Sequence, residues 1–119
     1  MADKPVILVT GGAGYIGSQL IRDIALDPRF NDVTIRIYDS LRHKNLSGLM
    51  DLPVEGRYEF IEGDILDRLN LQRAMQDAIA VFHLAAIVTT PLSFDHPEWT
   101  EQINHWGTAA VVDCMVRAG

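Results

Sequence analysis

An α/β fold, with a parallel sheet ordered 3-2-1-4 and helices on both faces, is what this sequence predicts, and three observations carry it. Short β-branched or apolar runs alternate with stretches whose apolar residues recur at helical spacing. The first run, Val6-Ile7-Leu8-Val9, passes through a glycine-rich turn into the stripe Ile16, Leu20 and Ile24. The last run, residues 81–88, is almost continuously apolar, as expected for a strand covered on both faces.

Length and composition bound the reading. A chain of 119 residues is one domain at most, yet large enough to bury roughly two-thirds of its unfolded surface. The net charge of −6 argues against a nucleic-acid partner. It does not argue against a dinucleotide, which local dipoles can hold. Cys114 is the only cysteine, which excludes an internal disulfide and suits a reducing cytoplasm. Residues 1–4 are too short and polar for a signal peptide, and no stretch approaches the ~20 apolar residues of a membrane span. Repeats and low-complexity linkers are absent from the sequence.

Taken in order, the first helix should span residues 14–26, with Pro28 stopping it because the residue before a proline is pushed out of the α region. Asn31-Asp32 turns the chain into a β-branched second strand, 33–38. Polar sequence follows from Leu41 to Val54, with Leu46, Leu49 and Met50 marking a short helix or ordered loop. The third strand is 57–61, and Asp67 caps a helix over 68–77 whose buried stripe is Leu71, Ala74, Met75 and Ala78. The fourth strand is 81–88. Pro97-Glu98 begins a last helix reaching at least Arg117, with Ile103, Gly107, Ala110, Val111, Cys114 and Ala118 facing inward.

The turn Thr10-Gly11-Gly12-Ala13-Gly14-Tyr15-Ile16-Gly17-Ser18 is where chemistry is expected. The first N–H groups of a helix lack intrahelical acceptors, and the helix dipole adds partial positive charge there. A pyrophosphate can take those bonds where side chains do not intervene. Gly12-x-Gly14-x-x-Gly17 fits the dinucleotide fingerprint of a Rossmann-type fold. Asp39 ends the second strand 22 positions beyond Gly17, where such a fold places the acid that binds the adenosine ribose. A strand-ending turn is the plainer use of Asp39, as a solvated charge run is of Arg42, His43 and Lys44. Because a carboxylate there repels a 2′-phosphate, NAD is favoured over NADP.

Gly11-x-x-Gly14-x-x-Gly17 after Thr10, together with His83-Leu84-Ala85-Ala86 at the end of the fourth strand, closely resembles the extended short-chain dehydrogenases/reductases. These are the nucleoside-diphosphate-sugar epimerases and dehydratases. The resemblance implies that Gly11, Gly14 and Gly17 clear space for the pyrophosphate, with Tyr15 and Ile16 donating backbone N–H groups. It implies that Asp64 and Ile65 lie against the adenine; the plainer use of Asp64, with Asp67, is to turn the chain and cap the next helix. Leu84, Ala85 and Ala86 would line the ribose and phosphates, and Asn104 of Asn104-x-x-Gly107-Thr108 would tie the last helix to the site. His83 reads as a structurally satisfied histidine of a buried strand rather than a catalytic base. Thr89, Thr90 and Ser93 take no assignment. Trp99, Trp106 and Asp113 share a neighbouring face of the last helix: either they pack against further chain, or they form a homodimer contact, since family members commonly pair there.

Tyr-x-x-x-Lys, the family's acid/base pair, does not occur. Residues 1–119 are therefore expected to be the N-terminal cofactor segment of an incomplete doubly wound fold, cut before a fifth strand and self-associating or marginally stable alone. The function implied is the NAD-binding part of an epimerase- or dehydratase-type oxidoreductase, with a nucleotide-linked sugar as small-molecule substrate. Two alternatives stay open: a dinucleotide-binding regulatory module without turnover, and an NADP-dependent reductase of a non-sugar carbonyl.

Overall fold

The computed structural model describes residues 4–41, 49–85 and 107–118. Within them run β1 (Val6–Thr10), α1 (Tyr15–Leu26), a 3-10 turn (Pro28–Phe30), β2 (Thr34–Asp39), β3 (Arg57–Glu62), α2 (Arg68–Ala74), β4 (Ala78–His83) and α3 (Gly107–Ala118). The strands form one parallel sheet in the order β3-β2-β1-β4. This is the predicted Rossmann-type arrangement.

Alternation along the strands separates two apolar layers. Ile7 and Val9 of β1 and Ile35 and Ile37 of β2 face α1, packing on Ile21, Ile24 and Ala25. Leu8 and Tyr38 point the other way, onto Leu71, Ala74 and Met75 and onto Ala110, Val111 and Cys114 of α3. Cys114 is thus a buried small core residue, as its place in the stripe predicts. Helices cover both faces, and every residue of the central strand β1 is buried.

Local chemistry sets the element ends. Asp27 leaves the helical region after α1, and its carboxylate accepts the Arg29 N–H at 2.9 Å. Asp67 caps α2 as expected, accepting from Asn70 N at 3.2 Å. That helix is shorter than the periodicity predicts, ending at Ala74 rather than 77. The Arg36 guanidinium reaches from β2 and donates to the carbonyls of Ala74 and Gln76, each at 2.7 Å. Asp77 then takes a left-handed conformation (φ 66°) that turns the chain into β4. Ala78 is accordingly the first residue of a strand and not the last of a helical stripe.

β4 is also displaced from its expected range, beginning at Ala78 and ending at His83. Of its predicted residues, Leu84 and Ala85 lie beyond the strand, and 86–88 lie outside the described residues. Its expected coverage on both faces is not met: Ile79 is 66% exposed and Phe82 is 40% exposed. The apolar run does form a strand, but β4 stands at the edge of the described sheet, where one flank lacks a neighbour. Among the described residues no helix is long and apolar enough to cross a membrane.

Candidate functional site

β1, β2 and β4 deliver their C-terminal ends to one corner of the sheet, where α1 begins. Gly11 carries the chain out of β1 with φ 70°, a conformation open to glycine at no steric cost. Its N–H donates to the Tyr38 carbonyl at 2.8 Å, and its carbonyl accepts from Gly14 N at 3.1 Å. Gly14 is the N-cap of α1 and offers no side-chain cap. The first intrahelical bond is Ser18 N to Gly14 O at 2.9 Å, so the N–H groups of Tyr15, Ile16 and Gly17 precede the helical ladder. The Tyr15 and Ile16 side chains are 93% and 68% exposed, leaving that helix end open among the described residues.

The glycines divide their work differently from the expectation that all three clear room for a ligand. A β-carbon on Gly17 would stand 2.5 Å from the Gly11 oxygen and 2.9 Å from Gly12 Cα, so its bareness lets the helix press against the turn. One on Gly11 would lie 2.8 Å from Ala85 N and Leu84 C, so this glycine seats the turn on the chain leaving β4. The contact there is protein on protein. At Gly14 an added β-carbon meets only the Gly11 oxygen, at 3.3 Å, and the position is exposed. Gly14 is therefore the least enclosed of the three, and close packing at Gly11 and Gly17 builds the wall behind it.

Asp39 reaches this corner from the end of β2. One carboxylate oxygen accepts Ala13 N at 3.0 Å and the other accepts Leu41 N at 2.8 Å, tying the glycine turn to the strand. Each carboxylate oxygen has a second lone pair, so these bonds leave acceptor capacity for hydroxyl groups. The strand-ending and ligand-binding uses of Asp39 are compatible.

Asp64 and Ile65 follow β3. Asp64 Oδ1 accepts Leu66 N at 2.9 Å, and its carbonyl accepts the Tyr38 hydroxyl at 2.7 Å. Burial first, and then the Asp67 and Asp64 carboxylates, push the Tyr38 hydroxyl up to about 12, which keeps it a donor. The Ile65 side chain is buried in the core with Leu71 and Tyr38, so only its main chain can face a ligand. Leu84 and Ala85 lie directly against Gly11, whereas Ala86 and Asn104 lie outside the described residues, as do Trp99 and Trp106. Asp113 pairs with Arg68 of α2 at 2.7 Å, and so serves packing within the chain.

Sequence reasoning missed the hub of the corner. Thr10 is fully buried, and its Oγ1 accepts Leu84 N at 3.0 Å and Ala85 N at 3.3 Å while standing 2.7 Å from His83 Nδ1. His83 Nε2 lies 3.1 Å from Thr108 Oγ1 on α3. His83 is thus a satisfied histidine, as read, and burial lowers its pKa from the ordinary value. The available signal was a hydroxyl residue closing an otherwise apolar strand.

Comparison with known proteins places this geometry. The model of the GDP-mannose 4,6 dehydratase family matches residues 8–119. This chain belongs to that family. A dTDP-glucose 4,6-dehydratase of Neisseria gonorrhoeae is 44% identical over 86 residues, covering 70% of this chain and 24% of that protein. Among solved structures, the dTDP-glucose 4,6-dehydratase DesIV of Streptomyces venezuelae, with NAD bound, is 30% identical with a TM-score of 0.77, over 96% of this chain and 36% of that one. A UDP-glucose-4-epimerase of Stenotrophomonas maltophila, also with NAD bound, is 31% identical with a TM-score of 0.79, over 98% and 34%. The chain therefore spans about a third or less of the length of these relatives.

Proposed function

We propose that these residues form the NAD-binding part of an NAD-dependent oxidoreductase of the epimerase/dehydratase type, with a nucleotide-linked sugar as substrate. The observation that carries the reading is one juxtaposition. The uncapped, exposed start of α1 stands beside the Asp39 carboxylate, which itself holds the turn through Ala13 N. A dinucleotide needs both features at once: donors for a diphosphate and an acceptor for ribose hydroxyls. Relatives solved with NAD bound share the fold over nearly the whole chain, which supports the same reading.

The residues present fit the cofactor. N–H groups of Tyr15, Ile16 and Gly17 would hold the pyrophosphate at Gly14, and Asp39 would hold the adenosine ribose. The main chain at Ile65, with Asp64, would border the adenine, Leu84, Ala85 and Ala86 would line the ribose and phosphates, and Asn104 would tie the last helix to the site. NAD, when bound, supplies hydride acceptance and return. This chain's contribution is binding and orientation, because the tyrosine and lysine that handle the substrate proton in the resembled family have no counterpart in the sequence. We therefore read residues 1–119 as the N-terminal cofactor segment of a longer enzyme. Exposed Val112, Met115 and Val116 on α3 favour that helix as a homodimer face, and a buried sole cysteine suits a reducing cytoplasm.

Titration with NADH and NADPH tests the assignment. Wild type should bind NADH at least tenfold more tightly than NADPH, and Asp39→Ala should lose that preference, since hydrogen bonds to a charged group contribute about 1.5–3 kcal/mol each. Equal affinity of wild type for the two cofactors would remove the role given to Asp39.

A further inference from the structure

The geometry around Thr10 fixes the protonation of His83. Backbone N–H groups only donate, and both Leu84 N and Ala85 N point to Thr10 Oγ1, the former shared with the Thr10 carbonyl at 3.0 Å. A hydroxyl has two acceptor lone pairs and one proton. With its lone pairs engaged by those two donors, Thr10 has its own proton left for the third partner, His83 Nδ1, at 2.7 Å. Nδ1 is then the acceptor, the ring proton sits on Nε2, and Nε2 donates to Thr108 Oγ1 at 3.1 Å. An imidazolium cannot occupy this place unchanged, because a proton on Nδ1 would give Thr10 Oγ1 a third donor.

We propose that neutral His83 is a positioning residue for the glycine turn, and that protonating it loosens the turn. Thr10 Oγ1 clamps the Leu84–Ala85 main chain, and Gly11 is seated on the same atoms, with its missing β-carbon 2.8 Å from Ala85 N. To accept a proton, His83 must turn the Thr10 hydroxyl away and displace one of those backbone donors. The floor under the turn then moves. No nearby charge opposes this sensitivity among the described side chains. β1 carries no ionisable residue, β4 none besides His83 itself, and the titratable side chains of α3 that the structure describes, Asp113 and Cys114, are directed at Arg68. Thr10 and Thr108, which face the ring, are uncharged.

The sign follows from burial, which depresses the histidine in the folded chain. The clamp is intact above the ordinary histidine value of about 6.5 and is lost as pH falls through the lower folded value. The proposal rests on the turn being the NAD site.

Two measurements test it. Imidazole nitrogen NMR of the wild-type chain at pH 7.5, with His83 assigned through its contacts to Thr10, should show a neutral ring protonated on Nε2; an Nδ1–H ring or an imidazolium overturns the proposal. NADH fluorescence titrations from pH 8 to pH 5 should show wild-type affinity falling about tenfold, the equivalent of one buried hydrogen bond. In His83→Asn the side-chain oxygen takes the place of Nδ1 and accepts from Thr10 without titrating, so its profile should be flatter than wild type. His83→Leu should bind about tenfold more weakly at every pH. Parallel profiles for wild type and His83→Asn overturn the positioning role alone. Failure of wild type to bind NADH at pH 8 overturns the dinucleotide reading and this proposal together.

Discussion

β3 and β4 both bound the described sheet, and each is six residues long, yet their outer surfaces are made of different material. β3 carries Arg57, Glu59 and Glu62, and Glu59 pairs with Arg36 of β2 at 3.0 Å. β4 reads Ala-Ile-Ala-Val-Phe-His, without a charge; Phe82 is exposed much as Phe60 of β3 is, but the exposed Ile79 has no counterpart on β3. Charged side chains on an edge discourage pairing with another chain, because a second strand would have to desolvate them. β3 is therefore finished as an edge, whereas β4 has the composition of an interior strand. The two sides are also fastened differently, by a guanidinium on the β3 side and by neutral hydroxyl–imidazole bonds on the β4 side.

That contrast can be broken experimentally, beginning with its strongest element. Arg36 is largely buried and serves two helix-end carbonyls as well as Glu59. Arg36→Ala should cost about 1–3 kcal/mol in urea unfolding, because it leaves the Ala74 carbonyl without its donor, whereas Gln76 and Glu59 are exposed enough for water to replace the guanidinium. A loss below about 0.5 kcal/mol would show that those carbonyls find other partners. Next in size is association: wild type should self-associate with rising concentration in sedimentation velocity. Ile79→Lys should weaken this by about tenfold through an edge charge, and Phe60→Lys on β3 should change it little. An equal response at both edges would remove the distinction. The smallest effect is expected for Glu59→Gln, under about 1 kcal/mol and fading in high salt, since that carboxylate is half exposed.

Most of this architecture was legible because the signals were periodic. The strand order follows from alternating elements and the handedness of crossovers, and the turn followed by α1 is announced by glycine spacing. Element ends were harder to read wherever a distant side chain decides them. Nothing near Ala74 shows that Arg36, 38 positions away, will stop α2 there. The reason for each glycine was equally hidden, since the partners of Gly11 are 73 and 74 positions downstream. Thr10 illustrates the same limit: its hydroxyl acts on residues brought near only when β4 pairs with β1. Sequence spacing identifies which residues meet a ligand more readily than which residues hold the others still.

The crowding of Gly17 against Gly11 and Gly12 has an implication for how such a corner can change over time. Donors drawn from peptide groups have no functional group to exchange, and the tight seating rejects even one extra methyl. Under the proposed reading, changes of cofactor preference fall to the strand tip at Asp39, and because its carboxylate also holds the Ala13 and Leu41 N–H groups, the replacements that keep the cradle are those that still accept both bonds. The selector is thus tied to the grip, and redesign works through side chains that preserve the tie.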